Sequence, residues 1–550
     1  MKETGTTNSY KEFMSAAVVC NNEIPCTAGK NILAAGGSVV DAAITSMLTL
    51  GVISFQSSGI GGGFFMVYYD AKTGKDYFID ARSVAPLEID PGFYVDNNYA
   101  KTYGRSSIAV PGEIHGFWEI HQRFGILPWS ALFKPAIELA EKGFRMTASC
   151  SNWLRVTMPK VKENENLRNF LKKSDGTFKQ TGDYIKRPNL AATLRIIAEE
   201  GAAAFYNGSL TKSILDDIND GFGFPSAITI KDFNMYRTRI RESTKLQLDN
   251  FTVISTAAPS GGNMLAYLLK ILHEFNLSAE DLRQDEVLTY HRIIEAMKFT
   301  YYERNVLGDP DFCPNVNRIL KEISTDEYCK NVREKTDDSQ THPLQYYGED
   351  LTPVQEDHGT GHLGIIGEDG SAVAMTSTVN QPFGSNVLGR KTGIVFNDQI
   401  GEYSIPGETV TKRWRPNNLL EPGKRALSTT CPTIILSRTP GGPKVKMIVG
   451  GSGGTRIVSA TALTIIRTLW FHEDLDKAVK SKRLHHTWYP NVLHIENGMD
   501  QDVVRGLKER GHKIEWMEGY CSTVQAILKL ENGRIAAKCD ERRGGYPDGF

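Results

Sequence analysis

One threonine near the middle of the chain lies between two glycines, in the sequence Gly359-Thr360-Gly361. An alternating apolar run follows, then a Glu-Asp-Gly turn at 368–370 and a second alternating run that ends at Val379. Two such runs joined by this kind of turn predict a β-hairpin whose first strand begins at Thr360. Threonine acts as a nucleophile when its own N-terminal amine is the base, so the Gly359–Thr360 bond would first have to be cut. On these residues alone, an ordinary Gly-Thr at a strand start is the simpler interpretation.

Other segments carry residue types that suit a charged substrate or intermediate. Gly359 would give the backbone the freedom that a strained cleavage geometry needs. Arg82 follows a strand predicted at 77–80, where its planar guanidinium could bind a carboxylate through two hydrogen bonds, although a lone arginine is more often a surface residue. The run from Gly450 to Thr455 lies between a predicted strand and helix and lacks the Gly-Lys-Ser/Thr of a phosphate loop. Its backbone N–H groups are suited to holding an oxyanion.

The composition is typical of a soluble globular protein and excludes some partners. The chain has 550 residues, which predicts roughly three or four domain-sized units or one large domain. Hydrophobic residues make up 40% and charged residues 23% of the chain. With 63 Lys and Arg against 64 Asp and Glu, the net charge of −1 provides no field for nucleic acid or an anionic membrane.

The cysteines and histidines do not have the spacing of a metal site. None of the 8 cysteines forms a CxxC pair, and His485-His486 has no partner at a useful spacing. We therefore predict no bound metal and no zinc site. Cys20 and Cys26 are close enough in sequence to form a disulfide, but the sequence leaves the pairing open.

The pattern of apolar residues and turn residues predicts a helical first part and a strand-rich second part. We expect a helix from Ala16 to Gly51, the strand Phe64–Tyr69, a mainly helical region at 111–310 and an exposed loop at 330–357. Helix signals within that region lie at 131–142, 190–200, 264–274 and 286–304, and after Thr360 we expect strands at 363–366, 372–379, 393–397, 432–437 and 445–450 and a helix at 457–469.

The N-terminal and surface features give weak information on location. Met1–Phe13 has no apolar core and is not a signal peptide. The apolar stretch Ile32–Phe55 is interrupted by Asp41, so we expect a buried helix and a strand rather than a membrane span. Three Asn-x-Ser/Thr sequons begin at Asn207, Asn250 and Asn276, a number close to chance that supports secretion and glycosylation only weakly.

A series of short motifs occurs in a fixed order along nearly the whole chain. They are Ser58-Gly59-Ile60-Gly61-Gly62-Gly63, Ala81-Arg82-Ser83-Val84-Ala85-Pro86, Ala109-Val110-Pro111-Gly112, Leu307-Gly308-Asp309-Pro310, Thr360-Gly361-His362, Thr376-Ser377-Thr378-Val379-Asn380, Leu427-Ser428-Thr429-Thr430-Cys431-Pro432, Gly453-Gly454-Thr455 and Arg543-Gly544-Gly545. Each motif is weak alone, but their ordered occurrence is specific. By these motifs the chain resembles the γ-glutamyltransferase (glutathione hydrolase) family and is similar to its animal members.

The resemblance implies a mixed α/β (α+β) fold, the αββα sandwich of N-terminal nucleophile hydrolases. It implies a precursor that cuts itself at Gly359–Thr360 into a helix-rich large subunit, 1–359, and a small catalytic subunit, 360–550, which together form one αββα unit. The site residues that it implies are Thr360 as nucleophile, Thr378 to position its hydroxyl, Gly453 and Gly454 for the oxyanion, Arg82, Ser428 and Thr429 for the α-carboxylate, and Asn380, Gln399 and Glu402 for the α-amino group.

The implied donors are glutathione and other γ-glutamyl compounds, and the acceptors are water, amino acids or dipeptides, with no cofactor. The zwitterionic glutamyl head fits this set, because it needs a cation at one end and carboxylate or amide acceptors at the other. Glu402 stands where the family usually has Asp, and Thr429 replaces the second serine of a Ser-Ser pair. The anchor that precedes the catalytic region in animal members is not seen, and we expect a secreted or cell-surface protein.

Two alternatives remain. A related amidase with the same fold, such as a β-lactam acylase, would share Thr360 and the oxyanion glycines without needing a clamp for a zwitterion. An inactive secreted relative that only binds its ligand would usually have lost the nucleophile or the clamp, and here both are present. We favour the enzyme acting on γ-glutamyl compounds.

Overall fold

The structure is a computed structural model that describes residues 9–348, 359–405, 416–519 and 521–550. Its strands, in chain order, are β1 (Tyr10–Phe13), β2 (Ala17–Cys20), β3 (Gly63–Asp70), β4 (Lys75–Ala81), β5 (Phe144–Arg145), β6 (Tyr184–Ile185), β7 (Arg239–Arg241), β8 (Thr244–Leu248), β9 (Phe251–Ser255), β10 (Gly359–Ile366), β11 (Ala372–Asn380), β12 (Thr433–Ser437), β13 (Lys444–Ser452), β14 (Leu484–His485), β15 (Leu493–Glu496), β16 (Ile514–Met517), β17 (Thr523–Lys529), β18 (Ile535–Cys539) and β19 (Asp548–Gly549).

The helices lie between these strands along the chain, several of them in consecutive runs. In chain order they are α1 (Glu23–Ala34), α2 (Val39–Ile53), α3 (Phe93–Asp96), α4 (Glu113–Phe124), α5 (Trp129–Lys142), α6 (Ala148–Glu163), α7 (Glu165–Leu171), α8 (Pro188–Glu200), α9 (Ala203–Tyr206), α10 (Thr211–Asn219), α11 (Ile230–Met235), α12 (Gly262–His273), α13 (Ala279–Gln284), α14 (Glu286–Glu303), α15 (Asn315–Ile323), α16 (Asp326–Lys335), α17 (Arg456–Leu469), α18 (Leu475–Lys480) and α19 (Gln501–Glu509).

Two antiparallel sheets of seven strands form the centre of the molecule. One has the order β1-β18-β17-β13-β12-β9-β8, and the other has the order β19-β2-β10-β11-β3-β4-β7. A buried apolar layer between them includes Val19 and Val67 from the second sheet and Ile434 and Ile527 from the first. The burial of this layer is what holds the two sheets face to face.

Helices cover the outer face of each sheet. The second sheet packs against α1, α2, α4 and α5 in one apolar cluster, and the first sheet packs against α12, α14 and α17 in another. The order of layers is therefore helix, sheet, sheet, helix, which confirms the predicted αββα sandwich. Among the described residues, no helix is both long and apolar enough to cross a membrane.

The hairpin predicted around Thr360 is confirmed. Strands β10 and β11 pair antiparallel from Gly359 opposite Asn380 to Ile366 opposite Ala372, and Gly370 in the turn has a φ of 82°. Only glycine adopts that conformation without strain, which explains its place in the turn. The predicted strands 64–69, 77–80, 432–437 and 445–450 and the helices at 131–142, 190–200, 264–274, 286–304 and 457–469 also correspond to elements of the structure.

Three sequence predictions are wrong in part. The single helix predicted from Ala16 to Gly51 is a strand, β2, followed by two helices, because the first apolar residues pair with β10 and β19. Residues 393–397 form no regular strand and make one isolated bridge, Leu388 with Val395. The loop predicted at 330–357 begins inside α16, and residues 349–358 lie outside the described ranges.

Candidate active site

Thr360 is buried at the start of β10, with 1% of its surface exposed. Its hydroxyl oxygen has no hydrogen-bond partner in the described part of the chain. A buried hydroxyl without a partner costs free energy, on the order of 1–3 kcal/mol. This cost is a reason to expect that the hydroxyl has a chemical role rather than a structural one.

The peptide bond before Thr360 is held by the neighbouring strand. The ladder between β10 and β11 is irregular between Gly359 and Thr360. The Thr378 hydroxyl donates a hydrogen bond to the Gly359 carbonyl oxygen and accepts one of 2.8 Å from the Asn380 N–H. The first of these hydrogen bonds withdraws electron density from the Gly359 carbonyl carbon, which is the atom that the Thr360 hydroxyl would attack.

Gly359 is needed for space rather than for an unusual backbone conformation. A Cβ at this position would lie 2.5 Å from the Asn380 carbonyl oxygen and 2.6 Å from that of Gln381. Gly359 does not have a positive φ. The expectation that this glycine supplies backbone freedom is therefore wrong. The position requires glycine because two segments of the backbone approach each other closely there.

Gly453 and Gly454 connect the end of β13 to the first turn of α17. Their φ angles are 130° and 62°, which only glycine adopts readily, and a Cβ on Gly453 would lie 2.7 Å from the Ser522 Cα. The Arg543 guanidinium donates to the Thr360 carbonyl oxygen and, at 3.0 Å, to the Ser452 hydroxyl. This arginine therefore joins the start of β10 to the residue that precedes the two glycines.

Arg82 is buried beside Ser428 and Thr429, the other two residues predicted to bind a carboxylate. Its Nη2 is 3.4 Å from the Leu427 carbonyl oxygen, and its Nε and Nη1 have no hydrogen-bond partner among the described residues. Ser428 and Thr429 follow Leu427, and the Thr429 hydroxyl donates to the Gly454 carbonyl oxygen at 2.9 Å. The structure thus brings Arg82, the hydroxyl pair and the glycine pair into one neighbourhood.

The residues predicted for an amino group lie at the end of β11 and in the 3-10 turn Gln399–Glu402. Gln399 donates to the Thr378 carbonyl oxygen at 3.1 Å, and Asn380 donates to the Asp398 carbonyl oxygen at 3.1 Å. The side-chain oxygens of Asn380 and Gln399 are buried and have no hydrogen-bond donor in the described ranges. Glu402 is 7% exposed and lies in a short 3-10 turn with Gln399.

Asn418 connects the two halves of this site, and the sequence prediction did not include it. Its amide nitrogen donates to the Glu402 carbonyl oxygen at 2.8 Å, and its amide oxygen accepts from the Leu427 N–H at 3.0 Å. It is fully buried. No local pattern around this asparagine indicates the role, because both partners are distant in sequence.

Two buried acids near the site have raised pKa values. Burial raises the pKa of Asp398 to about 7, and it raises the pKa of Glu113 to about 7 although the Ser377 hydroxyl donates to Glu113 at 2.6 Å. His362, two residues after Thr360, is fully buried and has its pKa lowered to about 3 by burial. It is therefore a neutral imidazole at physiological pH, bonded to the Thr376 hydroxyl at 2.8 Å.

The structure also brings together His291, Glu295 and His512, whose ligand atoms lie within 4.8 Å of one another. The Glu295 carboxylate accepts hydrogen bonds from Lys298 at 3.0 Å and from Tyr347 at 2.5 Å. The two imidazoles bond to each other at 2.8 Å. With a buried ammonium on its carboxylate, this group fits a hydrogen-bonded cluster better than a cation site.

The three sequon asparagines, Asn207, Asn250 and Asn276, are all exposed. Exposure is required for glycosylation but does not demonstrate it, so glycosylation stays a prediction.

A family model described as Gamma-glutamyltranspeptidase matches residues 26–550 of the chain. A protein named Scoloptoxin SSD14 from Scolopendra dehaani is 34% identical over 556 residues, covering 100% of this chain and 95% of that protein. The glutathione hydrolase 5 proenzyme of Rattus norvegicus is 34% identical over 550 residues, with 98% of this chain and 93% of the proenzyme covered.

Among solved structures, a cephalosporin acylase from Bacillus halodurans superposes with a TM-score of 0.84 over 100% of this chain and 98% of its own, at 24% identity. At that identity the likeness concerns the fold alone.

Proposed function

We infer the reaction from one premise, that the chain belongs to the gamma-glutamyltranspeptidase family. It is an enzyme with the N-terminal nucleophile hydrolase fold, which processes its own chain and hydrolyses or transfers γ-glutamyl groups. The residues that carry out each step, and the acceptors, are proposed below from the geometry around Thr360.

Self-cleavage takes place at Gly359–Thr360 and yields the subunits 1–359 and 360–550. The Thr360 hydroxyl oxygen attacks the Gly359 carbonyl carbon, the C–N bond breaks, and the hydroxyl proton passes to the departing Thr360 nitrogen. The acyl group is then held on the Thr360 oxygen as an ester. Water then hydrolyses the ester, which leaves a carboxylate on Gly359 and a free amine on Thr360. The hydrogen bond from Thr378 to the Gly359 carbonyl oxygen supports this step, because it stabilises the charge that develops there.

Catalysis reuses the same hydroxyl. The Thr360 amine takes the hydroxyl proton, and the oxygen attacks the γ-carbonyl of the donor. The N–H groups of Gly453 and Gly454 stabilise the oxyanion, and the proton passes to the departing amine. The γ-glutamyl ester on Thr360 is then attacked by water, for hydrolysis, or by the amine of an amino acid or dipeptide, for transfer.

The donor is recognised through the two charges on its glutamyl head. Arg82, with the Ser428 and Thr429 hydroxyls, binds the α-carboxylate, and Asn380, Gln399 and Glu402 bind the α-amino group. The observation that carries this proposal is a set of buried polar atoms that have no partner among the described residues, namely the Nε and Nη1 of Arg82 and the amide oxygens of Asn380 and Gln399. Donors at one end and acceptors at the other complement a zwitterion.

An amidase acting on neutral acyl groups is the second candidate, since it would share the fold and Thr360. Such an enzyme would leave the buried Arg82 guanidinium without an anion, which is costly. The γ-glutamyl donor removes that cost. Glutathione is the donor that we propose, and the exposed sequon asparagines agree with a secreted or cell-surface location.

Thr360→Ala tests nucleophile and cleavage together. We expect one uncut chain on a denaturing gel and no release of the aniline from a γ-glutamyl anilide. Thr360→Ser is the matched control, because it keeps a hydroxyl and an amine at this position, and it should be cut and retain activity. A Thr360→Ala protein that is cut at this bond or is active would contradict the assignment.

A further inference from the structure

The residues proposed for the donor carboxylate come from two segments that are distant in sequence. Arg82 follows β4, and its Nη2 lies 3.4 Å from the Leu427 carbonyl oxygen. Ser428 and Thr429 come directly after Leu427. A contact of 3.4 Å is long for a hydrogen bond, so it fixes the relative position of the two segments only weakly. Other groups are needed to hold the guanidinium and the two hydroxyls around one carboxylate.

The backbone of Arg82 is held at both of its polar groups by buried side chains. Its N–H donates to Oδ1 of Asp80 at 3.1 Å, and its carbonyl oxygen accepts from the Tyr236 hydroxyl at 2.9 Å. Both of these side chains are buried. In a close-packed interior, a shift of either side chain is passed on to the group that it contacts. The position of the Arg82 guanidinium therefore depends on where Asp80 and Tyr236 lie.

Arg425 is a buried arginine that contacts the same Asp80 oxygen. Its Nε lies 3.2 Å from Oδ1 of Asp80, an ion pair without the alignment of a hydrogen bond. Its Nη2 donates to the Arg237 carbonyl oxygen at 2.6 Å. Arg425 also lies two residues before Leu427 in the chain. This one residue is therefore joined both to the support of Arg82 and to the segment that carries the two hydroxyls.

A second arginine and a second acid complete this buried network. Arg241 donates to Oδ2 of Asp80 at 2.8 Å and to Oδ1 of Asp309 at 3.1 Å. The Arg425 N–H donates to Oδ2 of Asp309 at 2.9 Å. All four carboxylate oxygens of the two buried acids thus have a cationic or N–H partner. A buried ionic network that is fully paired fixes the positions of its members, because moving one of them leaves another charge uncompensated.

We propose that Arg425 and Tyr236 are positioning residues for the donor, which align the Arg82 guanidinium with the Ser428 and Thr429 hydroxyls. The proposal rests on the proposed function, in which these three residues bind the α-carboxylate. Neither positioning residue is assigned a contact with the donor. Tyr236 acts on the Arg82 carbonyl, and Arg425 acts through Asp80 and through its own chain segment.

The contacts of Arg425 would cross between the subunits after the proposed cleavage. Arg425 belongs to 360–550, whereas Asp80, Arg237 and Asp309 belong to 1–359. The same contacts therefore hold the subunits together and set the spacing of the groups that bind the carboxylate. Donor affinity is in this way coupled to the correct docking of the two subunits.

Arg425→Lys is the first test, measured by steady-state kinetics with a γ-glutamyl anilide. Lysine keeps the positive charge and the backbone N–H, but its ammonium does not hold two partners in one plane as a guanidinium does. We expect KM to rise about tenfold while kcat stays within about twofold of the wild type. An unchanged KM in the folded variant would overturn the proposal.

The double variant Arg82→Lys/Arg425→Lys shows whether Arg425 acts through Arg82. We expect its KM to stay close to that of Arg82→Lys alone, because the guanidinium that Arg425 positions is already absent. Effects on KM that multiply would overturn the positioning role. If Arg82→Lys alone leaves KM unchanged, the proposed carboxylate recognition fails and the positioning role fails with it. If Arg82→Lys raises KM and Arg425→Lys does not, the positioning role alone fails.

Arg467→Lys is the matched control, because Arg467 is another buried arginine that follows Thr360 in the chain and contacts a residue that precedes it. Its guanidinium donates to the Glu473 carboxylate at 2.7 and 3.0 Å and to the Tyr290 hydroxyl at 2.7 Å. We expect KM to stay within about twofold of the wild type. A rise in KM as large as that of Arg425→Lys would indicate a general effect of loosened packing and would overturn the proposal.

Tyr236→Phe decides the matter if Arg425→Lys does not fold. It changes no charge and removes only the hydroxyl that donates to the Arg82 carbonyl; the ring, which lies 5.9 Å from the Arg425 guanidinium, is kept. We expect KM to rise about threefold, the effect of one neutral hydrogen bond, with kcat unchanged. An unchanged KM, or an equal fall in kcat and kcat/KM, would overturn the proposal.

Discussion

Two buried arginines in this molecule have opposite surroundings. Arg187 is 5% exposed, and its guanidinium donates to the carbonyl oxygens of Gly51, Val52 and Gly393 at 2.9, 3.1 and 2.9 Å. Arg82 is 1% exposed, and the one hydrogen bond that its guanidinium makes to the described residues is the 3.4 Å contact of Nη2 with the Leu427 carbonyl oxygen. Within the described ranges, neither arginine forms an ion pair with a carboxylate.

The difference distinguishes an arginine that stabilises the fold from one that we propose binds the donor. Arg187 satisfies three carbonyls and lies 5.0 Å from the centre of the Phe55 ring, so its surroundings are complete without a ligand. Burial without an acid lowers the pKa of Arg187 to about 9. Arg82 has buried donors that the described chain does not satisfy, and a carboxylate is the group that best matches them.

Arg82→Met should have the largest effect on catalysis. The loss of a bidentate, charged contact is expected to raise the activation free energy for a γ-glutamyl anilide by about 4 kcal/mol. This corresponds to a fall in kcat/KM of roughly a thousandfold. Arg82→Lys keeps the charge but loses the planar fork of the guanidinium. We expect it to weaken donor binding by about 2 kcal/mol, seen mainly as a rise in KM. The melting temperature should change little in either variant. An unchanged KM in Arg82→Lys would mean that this arginine does not bind the donor.

Arg187→Met should show the reverse pattern. Three buried carbonyls lose their donors, so we expect the free energy of unfolding to fall by about 3 kcal/mol. The KM of the folded fraction should stay within twofold of the wild type. Urea unfolding and steady-state kinetics on the same preparation measure both quantities. A large rise in KM without loss of stability would remove the distinction between the two arginines.

Glu113 is a third kind of buried polar group, a carboxyl group that burial makes easier to protonate. Its pKa is raised from 4.5 to about 7, so the folded state binds the proton more tightly than the unfolded state does. The stability that this provides is fully present below pH 4.5 and is lost as the pH rises through 7. Between pH 5 and 8 we expect a loss on the order of 2–3 kcal/mol, which Glu113→Gln should abolish. Urea unfolding at several pH values would contradict this if both proteins had the same pH dependence.

Glu402 should give the smallest effect when its charge is kept. Glu402→Asp restores the residue that the family usually has, and we expect a change in KM of less than about 1 kcal/mol. Glu402→Gln removes the negative charge that we expect to pair with the donor ammonium. It should weaken donor binding by about 2 kcal/mol. Each variant is assayed with glutathione and with an analogue that lacks the α-amino group. Equal losses on both donors would show that Glu402 does not bind the amino group.

The parts of the fold that could be predicted are those with a local signal. The hairpin of β10 and β11 was predicted because apolar alternation and a Glu-Asp-Gly turn lie within one short stretch. The run at 393–397 is equally apolar but does not form a strand. Its backbone N–H groups donate to separate segments, Phe396 to the Val387 carbonyl oxygen and Asn397 to that of Gly61, each at 3.1 Å. Its burial comes from packing, which periodicity does not distinguish from pairing.

The candidate site divides in the same way. Thr360, Arg82 and the two glycines belong to motifs that are visible along the chain. Asn418 and Arg187 belong to none, because their partners are distant in sequence and only the fold brings them close. Whether a buried arginine binds a ligand or stabilises the fold likewise depends on the groups around it, which the residue type alone does not reveal.

The hydrogen bond between Thr378 and the Gly359 carbonyl has a consequence for the kinetic order of maturation. In the cleavage that we propose, Thr360 and Thr378 act on the Gly359–Thr360 bond of their own chain, and Thr360 is almost fully buried. We therefore expect the cutting to be first-order, with a half-time that does not change when the protein is diluted. The active fraction in a population then depends on how long ago each molecule folded, and not on how many molecules are present.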